Sequence, residues 1–537
     1  VSITVTDVVP KSLSKMTLTE RAVGLFAPAR AAAMYRNRFL VNFAGQFTGA
    51  RTDKTSLRKF NPFAGSADSD SIGDLQTLRA RSRDLGRNTP IARGARGTSK
   101  TNIVGSGIRL RSKVDRELLG LSEEAAEVWE RRTETLFHLW AKSKNADVAR
   151  RLNFYQQQAV AFTSAWDSGD VFALRRYKEG TSFLALCVQL LEADRVCTPI
   201  DRQNDYYLRD GIELDEDGAV LAYHVLNRHP GDFQNQLLLE PQDWARIPAV
   251  GDYGLPLMVH LLDVDRIAQS RGVPMLAPVI ESLKQLDRYA EAELMAAVVS
   301  AFFTVFIKSE GDETGSTNDL TGLADPNPCA VRTGEVELGS GTIAELAPGE
   351  DITTVNPNRP NANFDPFFLA VIRQIGIALG IPYEVLIMHF SSSYTASKAA
   401  LETARQFFTD RRNALATDFC QPIYEWFLYE CVVRGIVDAP GYLKDPIKRA
   451  AWGGSDWIGR APIVLDAVKD ANAAEKWIDL GVKTIESVTV EATGGDWRAN
   501  QEQRGRECAI REELNIQPAS PQPPKPEADP GGDSGGG

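Results

Sequence analysis

Long apolar runs are missing from this chain. The longest, Met295–Ile307, is interrupted by Ser300 and Thr304 and falls short of the roughly 20 residues that a membrane-spanning helix needs. No basic segment leading into an apolar one and then small residues stands near Val1, so no secretory signal is expected. Cysteine is scarce, with six in 537 residues and none spaced as a CxxC pair. That spacing argues against a metal knuckle or a disulfide framework and implies synthesis in a reducing compartment. Cys420 and Cys431 fall in an apolar helical stretch and are expected to be buried free thiols. Histidine is as sparse: His138, His224, His229, His260 and His389 include no pair at helical metal-ligand spacing. A glycine-rich P-loop ending in Gly-Lys-Ser/Thr, an HExxH helix and a GxSxG elbow are all absent. An enzyme is therefore not indicated, and no cofactor or metal is expected.

What is present is a globular composition, 43% hydrophobic and 24% charged, in a chain long enough for several domains. The net charge of −11 is unevenly spread. The first hundred or so residues are basic, with Arg79, Arg81, Arg83, Arg87, Arg93, Arg96 and Lys100 close together. A basic stripe is one footprint of nucleic-acid binding, but without interleaved aromatics it reads as a solvated or subunit-facing helix surface. An acidic protein should not hold DNA tightly, because neutralising phosphate supplies most nonspecific affinity.

Residues 1–70 read as an irregular arm. Helices are predicted over 71–100, broken at Pro90 and Gly94, then over Ser122–Lys142 with a capped first turn, and from Asn153 to about Gly169. Strands are predicted from Val171 to about Asp263, with a hairpin turning at Asp217-Gly218. Glu213, Asp215 and Asp217 mimic a calcium loop, but its twelfth position is His224, where a bidentate Glu is required. Asp263 and Asp265 share a strand face and read as a hydrogen-bonded strand end. Apolar residues at helical spacing run from Met275 to Lys308, the second half apolar on every face, so that it must be buried within the subunit or between neighbours. Short strands are predicted at 331–338, 342–346 and 351–355, a helix over 366–379, and a long helix over 396–434 with a possible break at Pro422. Gly339-Ser-Gly341-Thr-Ile-Ala344 matches a relaxed dinucleotide fingerprint, yet Pro348 and Gly349 leave no room for the helix such a motif opens. The tail from Gln517, rich in Pro, Gly and Asp, is expected to be disordered.

Several segments together resemble the portal proteins of lambda-type tailed phages. They are Asn102-Ile-Val-Gly105-Ser-Gly107, Trp129 and Trp140 in one helix, Gly169-Asp170-Val-Phe, Gly211-Ile-Glu with Gly218 and Ala222-Tyr223-His224, and Arg271-Gly272-Val-Pro274. Downstream, Leu346-Ala-Pro-Gly349-Glu350, Gly380-Ile-Pro382-Tyr383-Glu384, Tyr394-Thr-Ala-Ser397-Lys398-Ala-Ala, Trp452-Gly-Gly-Ser-Asp456-Trp457 and Ala474-Glu475-x-Trp477-Ile478 continue the likeness, over roughly 75–508. Lys398 departs from the family's Arg, keeping the charge and losing the bidentate fork.

The resemblance implies an α+β portal fold with a mainly helical wing and crown, long stem helices and a small strand-containing clip. Its parts would be an N-terminal arm (1–70), wing (71–268), first stem helix (269–308), clip (309–363), second stem helix (364–380), tunnel loop (381–398), long wing helix (399–439), crown (440–513) and disordered tail (514–537). It further implies a homo-oligomeric ring of about twelve subunits at a capsid vertex, through which double-stranded DNA is packaged and ejected without sequence specificity. The partners would be the terminase large subunit and later head-tail connector and capsid proteins, in a virion component assembled in the host cytoplasm. His389, Ser391, Ser392, Ser393, Tyr394 and Lys398 would face the DNA; Leu294, Val298, Val299, Phe302, Phe303 and Phe306 would form the stem interface. Two alternatives are a DNA-processing enzyme of a packaging system, ATPase or nuclease, which would need a P-loop or carboxylate metal cluster, and another structural ring component of the neck.

Overall fold

The computed structural model describes residues 18–43, 55–180, 182–232, 243–301, 305–309, 350–354, 363–389, 394–461 and 467–515. The chain divides into two compact units, residues 1–66 and 67–537.

In the first unit, α1 (Leu18–Phe26) and α2 (Pro28–Phe43) are helical, so the expected irregular arm is corrected. Pro28 occupies the first position of α2, where its missing N–H removes no helical bond.

The second unit opens with α3 (Ala67–Asn88) and α4 (Pro90–Ile103). The helix does break before Pro90, but Gly94 lies inside α4 and breaks nothing; a helical Gly costs only about 1 kcal/mol. After β1 (Arg109–Ser112) and the one-turn α5 (Arg116–Leu119) come α6 (Glu123–Lys142) and α7 (Phe154–Ser168). The Ser122 side chain accepts from the Ala125 N–H at the start of α6, and Asn153 forms a reciprocal capping box with Gln156 at the start of α7.

The strand region follows as predicted. β2 (Asp170–Tyr177), β3 (Leu186–Glu192) and a later β8 (Met258–Leu262) form an antiparallel sheet in the order β3-β2-β8. Between them, β4 (Leu208–Arg209), β5 (Ile212–Leu214), β6 (Val220–Leu226) and β7 (Trp244–Pro248) form a four-stranded meander. The β5–β6 hairpin turns at Asp215–Gly218, where the Asp215 carboxylate accepts from the N–H groups of Asp217 and Ala219. That carboxylate closes a turn and is not held out for calcium. β6 ends at Leu226, so His229 lies beyond the strand, and β8 ends at Leu262, so Asp263 and Asp265 also lie past their strand.

The long helix predicted to run to Lys308 is shorter. α8 spans Ile280–Ala301, and Val305–Ser309 is instead a strand, β9, paired antiparallel with β10 (Glu350–Thr354). The Val-Phe-Ile run is β-branched and aromatic, and periodicity alone cannot separate a buried helix from a strand in so short an apolar run. The expected strands at 331–338 and 342–346, and the tail from Gln517, lie outside the described residues.

α9 (Phe364–Leu379) and the one-turn α10 (Tyr383–Leu386) lead to α11 (Tyr394–Leu415), a π-helical turn at Ala416–Cys420, and α12 (Gln421–Val433). Pro422 does not end this helix. The π turn admits one extra residue, with the Gln421 N–H reaching Ala416 O five residues back, and so relieves the proline ring's clash. α13 (Pro446–Trp452), β11 (Ser455–Ile458), α14 (Ala467–Asp479), α15 (Ile485–Thr493) and α16 (Trp497–Glu513) complete the unit, β11 pairing back on β1. The main core lies where α6, α7 and α12 meet. Phe137 stands edge-on to Phe154, Tyr424, Phe427 and Trp457, with centroids 5.1–5.9 Å away. Cys420 and Cys431 are buried in it as free thiols.

Candidate functional site

Three places are described in turn: the pair of helices α8 and α9, the turn after α9, and a charge cluster where β2 begins.

The first half of α8 packs into the main core through Leu283 and Leu286, and α9 packs there through Ile372, Ile375 and Leu379. Farther along, Tyr289 stacks on Phe364 at 5.4 Å and meets Phe367 edge-on at 5.1 Å. Beyond that contact the apolar side chains turn outward: Leu294 is 65% exposed, Met295 61% and Val298 43%. Of the other expected interface residues, Val299 lies on α8 and Phe306 on β9, while Phe302 and Phe303 lie outside the described residues.

α9 ends because Gly380 adopts a left-handed conformation (φ 67°), its N–H returning to Ile377 O and that of Ile381 to Gly376 O. Any side chain at Gly376 would collide, since a Cβ there would lie 2.6 Å from Ile381 O. The chain is thus turned sharply, and the buried Val385 and Leu386 anchor the next turn. The segment predicted as a loop over 381–398 is shorter than expected, with α10 inside it and α11 starting at Tyr394. His389 is exposed in it. Ser391, Ser392 and Ser393 lie outside the described residues. Lys398 is half-exposed on α11 and sits 3.5 Å from the Asp470 carboxylate of α14, so its charge is partly matched within the chain.

The charge cluster is what sequence reasoning missed. Asp170, fully buried at the start of β2, accepts from Arg271 Nε at 2.6 Å, from Arg79 at 3.3 Å and from the backbone N–H of Gly272 at 3.3 Å, with His260 Nε2 3.3 Å away. Arg271, also fully buried, donates onward to the Asp210 carboxylate at 2.7 Å and to the carbonyls of Val196 and Ala193 at 2.8 Å, and lies over the Phe172 ring at 5.3 Å. Burial opposes the ionisation of Asp170, but Arg271, the His260 hydrogen bond and Arg79 outweigh it and hold the carboxyl well below the ordinary carboxylate range. Burial likewise disfavours the Arg271 cation, and Asp170 and Asp210 more than restore it. Burial and the neighbouring Arg271 push Arg79 down, the expected result for two cations sharing one carboxylate.

Around this centre three of the seven clustered cations are taken up. Arg79 is buried, Arg83 pairs with Asp194, and Arg96 pairs with Asp167 at 2.5 Å. These three form an internal ion-pair seam, whereas Arg81, Arg87, Arg93 and Lys100 lie on an exposed helix surface. The signal was legible in part: Gly169-Asp170 and Arg271-Gly272 each place a charge beside a glycine, and the two glycines touch. A Cβ on Gly169 (φ 91°) would lie 2.2 Å from Gly272 O, and one on Gly272 would lie 2.1 Å from Gly169 O.

Near this seam, Glu192, Asp194 and His229 bring ligand-type atoms within 4.8 Å of one another. Arg83 already engages Asp194, and His229 Nε2 lies 3.1 Å from Glu192, so the trio reads as a continuation of the ion-pair network.

The family described as phage portal protein, lambda family, matches residues 53–412 of the chain. The chain belongs to the lambda family of phage portal proteins. Portal protein B of Escherichia phage lambda is 25% identical over 498 residues, covering 89% of this chain and 92% of that protein. The portal protein of Escherichia phage N15 is 26% identical over 509 residues, with the same two coverages. Among solved structures, the neck of an empty gene transfer agent particle aligns with 78% of this chain and 92% of its own, at 10% identity and a TM-score of 0.43. The lambda-family portal match spans α3 through most of α11 and so contains the charge cluster, the α8–α9 pair and the turn between α9 and α11.

Proposed function

We propose that this portal protein assembles as a ring of about twelve copies at one capsid vertex, forming the channel through which double-stranded DNA is packaged and ejected. The observation that carries this reading is the outward apolar face of α8. Leu294, Met295 and Val298 stand exposed on a helix whose first half packs into the core through Leu283 and Leu286. A closed ring of identical subunits covers such a face on every copy, because each subunit offers two different surfaces to its two neighbours. α8 and α9 are then the stem, with Val299 extending its interface; Phe306, on β9, falls instead in the region between the two helices. The region between them is the clip, docking the terminase large subunit and later head-tail connector proteins. Residues 71–268 and 399–439 are the wing, and 440–513 the crown, within a virion particle assembled in the host cytoplasm.

The segment from His389 to Lys398 is the DNA-facing tunnel. It carries one basic side chain apart from His389, and that one is matched by Asp470. Few cations suit a surface over which DNA slides, since each phosphate contact adds affinity.

The test is native mass spectrometry with negative-stain microscopy of the full chain and of the double variant Leu294→Asp, Val298→Asp. Rings are expected from the native protein and folded single subunits from the variant. Rings of unchanged size from the variant would remove the stem assignment.

A further inference from the structure

The last three helices, α14, α15 and α16, contrast with those that build the core. None of their residues is buried, and none belongs to the main core or packs against it. Ion pairs tie each of them to a different element instead. On α14, Asp470 lies 3.5 Å from Lys398 of α11. On α15, Glu486 meets Arg111 of β1. On α16, Glu502 pairs with Arg131 of α6 at 2.8 Å and Arg498 with Glu127 of α6 at 2.7 Å, Glu123 standing 4.0 Å away. Glu123, Glu127 and Arg131 recur every four residues on α6, as Arg498 and Glu502 do on α16. Residues so spaced share one helix face, so the two helices meet as complementary rows of charge.

These side chains stay wet: Arg131 is 52% exposed, Glu502 48% and Arg498 44%. Exposed pairs hold weakly and salt screens them. Trp497, at the start of α16, is half-buried with its indole N–H enclosed and unpartnered among the described residues. An enclosed donor without a partner counts against the docked arrangement. At the root the chain is firmer. β11 pairs with β1, and its Trp457 packs against the core. Gly494, between α15 and α16, approaches β11's end so closely that a Cβ would lie 2.9 Å from Gly459 O.

We infer that α14–α16 form a charge-latched module. It pivots where Gly494 meets Gly459, docks on α6, β1 and α11 at low ionic strength, and releases as ionic strength rises while the core stays folded. Raising NaCl from about 0.1 M to about 1 M shortens the Debye length from about 10 Å to about 3 Å. That weakens the pairs, whereas the apolar contacts around Phe137 carry no charge to screen. Once released, α16 is a 17-residue helix without a partner face, and a helix of that length alone is marginal in water.

The test is hydrogen exchange of the full chain, read by mass spectrometry on one size-fractionated species at the two salt concentrations and constant pH. Protection of α16 should fall roughly tenfold or more at the higher salt, while α7 and α12 change by less than about twofold. Arg498→Glu should show the released level of exchange already at the lower salt. That substitution places an acid in the first turn of α16, which favours the helix itself, so its lost protection reports undocking. Unchanged protection of α16 across the salt range overturns the inference, as does native-like protection in Arg498→Glu. An equal loss in α7 and α12 also overturns it, since the whole subunit would then be opening.

Discussion

Around Asp170 every strong charge finds its partner inside the same chain, whereas the second half of α8 presents Leu294, Met295 and Val298 to solvent. The two regions are joined directly, since Arg271 stands nine residues before Ile280, where α8 begins. One is chemically finished in a single subunit and the other is not. The difference separates what holds a subunit together from what it keeps for its neighbours. Buried ions that lack a partner are costly, so they must be resolved before assembly. Exposed apolar surface is tolerable in a single copy and is covered on association.

Breaking the finished region should have the largest effect. Asp170→Asn leaves Arg271 and Arg79 buried without their shared counter-charge, and denaturant unfolding of the dispersed subunit should show a loss of about 3–5 kcal/mol near neutral pH. The sign of its pH dependence follows from the depressed carboxyl. Its contribution is present above the ordinary Asp value and is lost as pH falls toward the folded one, so native and variant should converge as the solution is made more acidic than about pH 4.

A carboxylate outside the cluster should behave in the opposite sense. Glu134 on α6 accepts from the Ser112 N–H of β1 at 2.8 Å, and burial, partly offset by that bond, pushes its carboxyl up to about 7. With the folded value above the unfolded one, its contribution is fully present below the ordinary Glu value and is lost as pH rises through about 7. Glu134→Gln, which keeps the acceptor, should therefore gain on the native protein by about 1 kcal/mol between pH 5 and pH 8, the shift being discounted for partial exposure. Chemical denaturation at the two pH values checks it. The smallest effect belongs to the unfinished region. Leu294→Ser should move the stability of the dispersed subunit by no more than about 0.5 kcal/mol, and a loss above 2 kcal/mol would mean that α8 is already covered within one chain.

Much of this was legible in the sequence where the cause is local. The capped starts of α6 and α7, the β5–β6 hairpin and the Gly380 stop of α9 follow from side chains that hydrogen-bond, or backbones that turn, within a few residues. The failures have causes beyond the local window. Val305–Ser309 is a strand because Glu350–Thr354 pairs with it across 40 intervening residues, a partner no periodicity reveals. Pro422 is harmless because the preceding turn widens by one residue. Arg79, Arg83 and Arg96 looked like a surface stripe because their partners, Asp170, Asp194 and Asp167, are 71–111 positions away. Of the residues proposed to meet DNA, the composition was legible; the Lys398–Asp470 contact was not, since its two partners stand 72 positions apart in the chain.

The contact between Gly169 and Gly272 has a mechanical consequence. Two backbones meet there without an intervening side chain, and Met275 N–H bonds to Trp166 O at 3.1 Å three residues farther on. Side chains yield under load by changing rotamer; peptide planes in van der Waals contact do not. The joint between the start of β2 and the approach to α8 therefore has almost no compliance. A tilt imposed on the far end of α8 acts as on a lever clamped at its root and is delivered to the β3-β2-β8 sheet instead of being absorbed on the way.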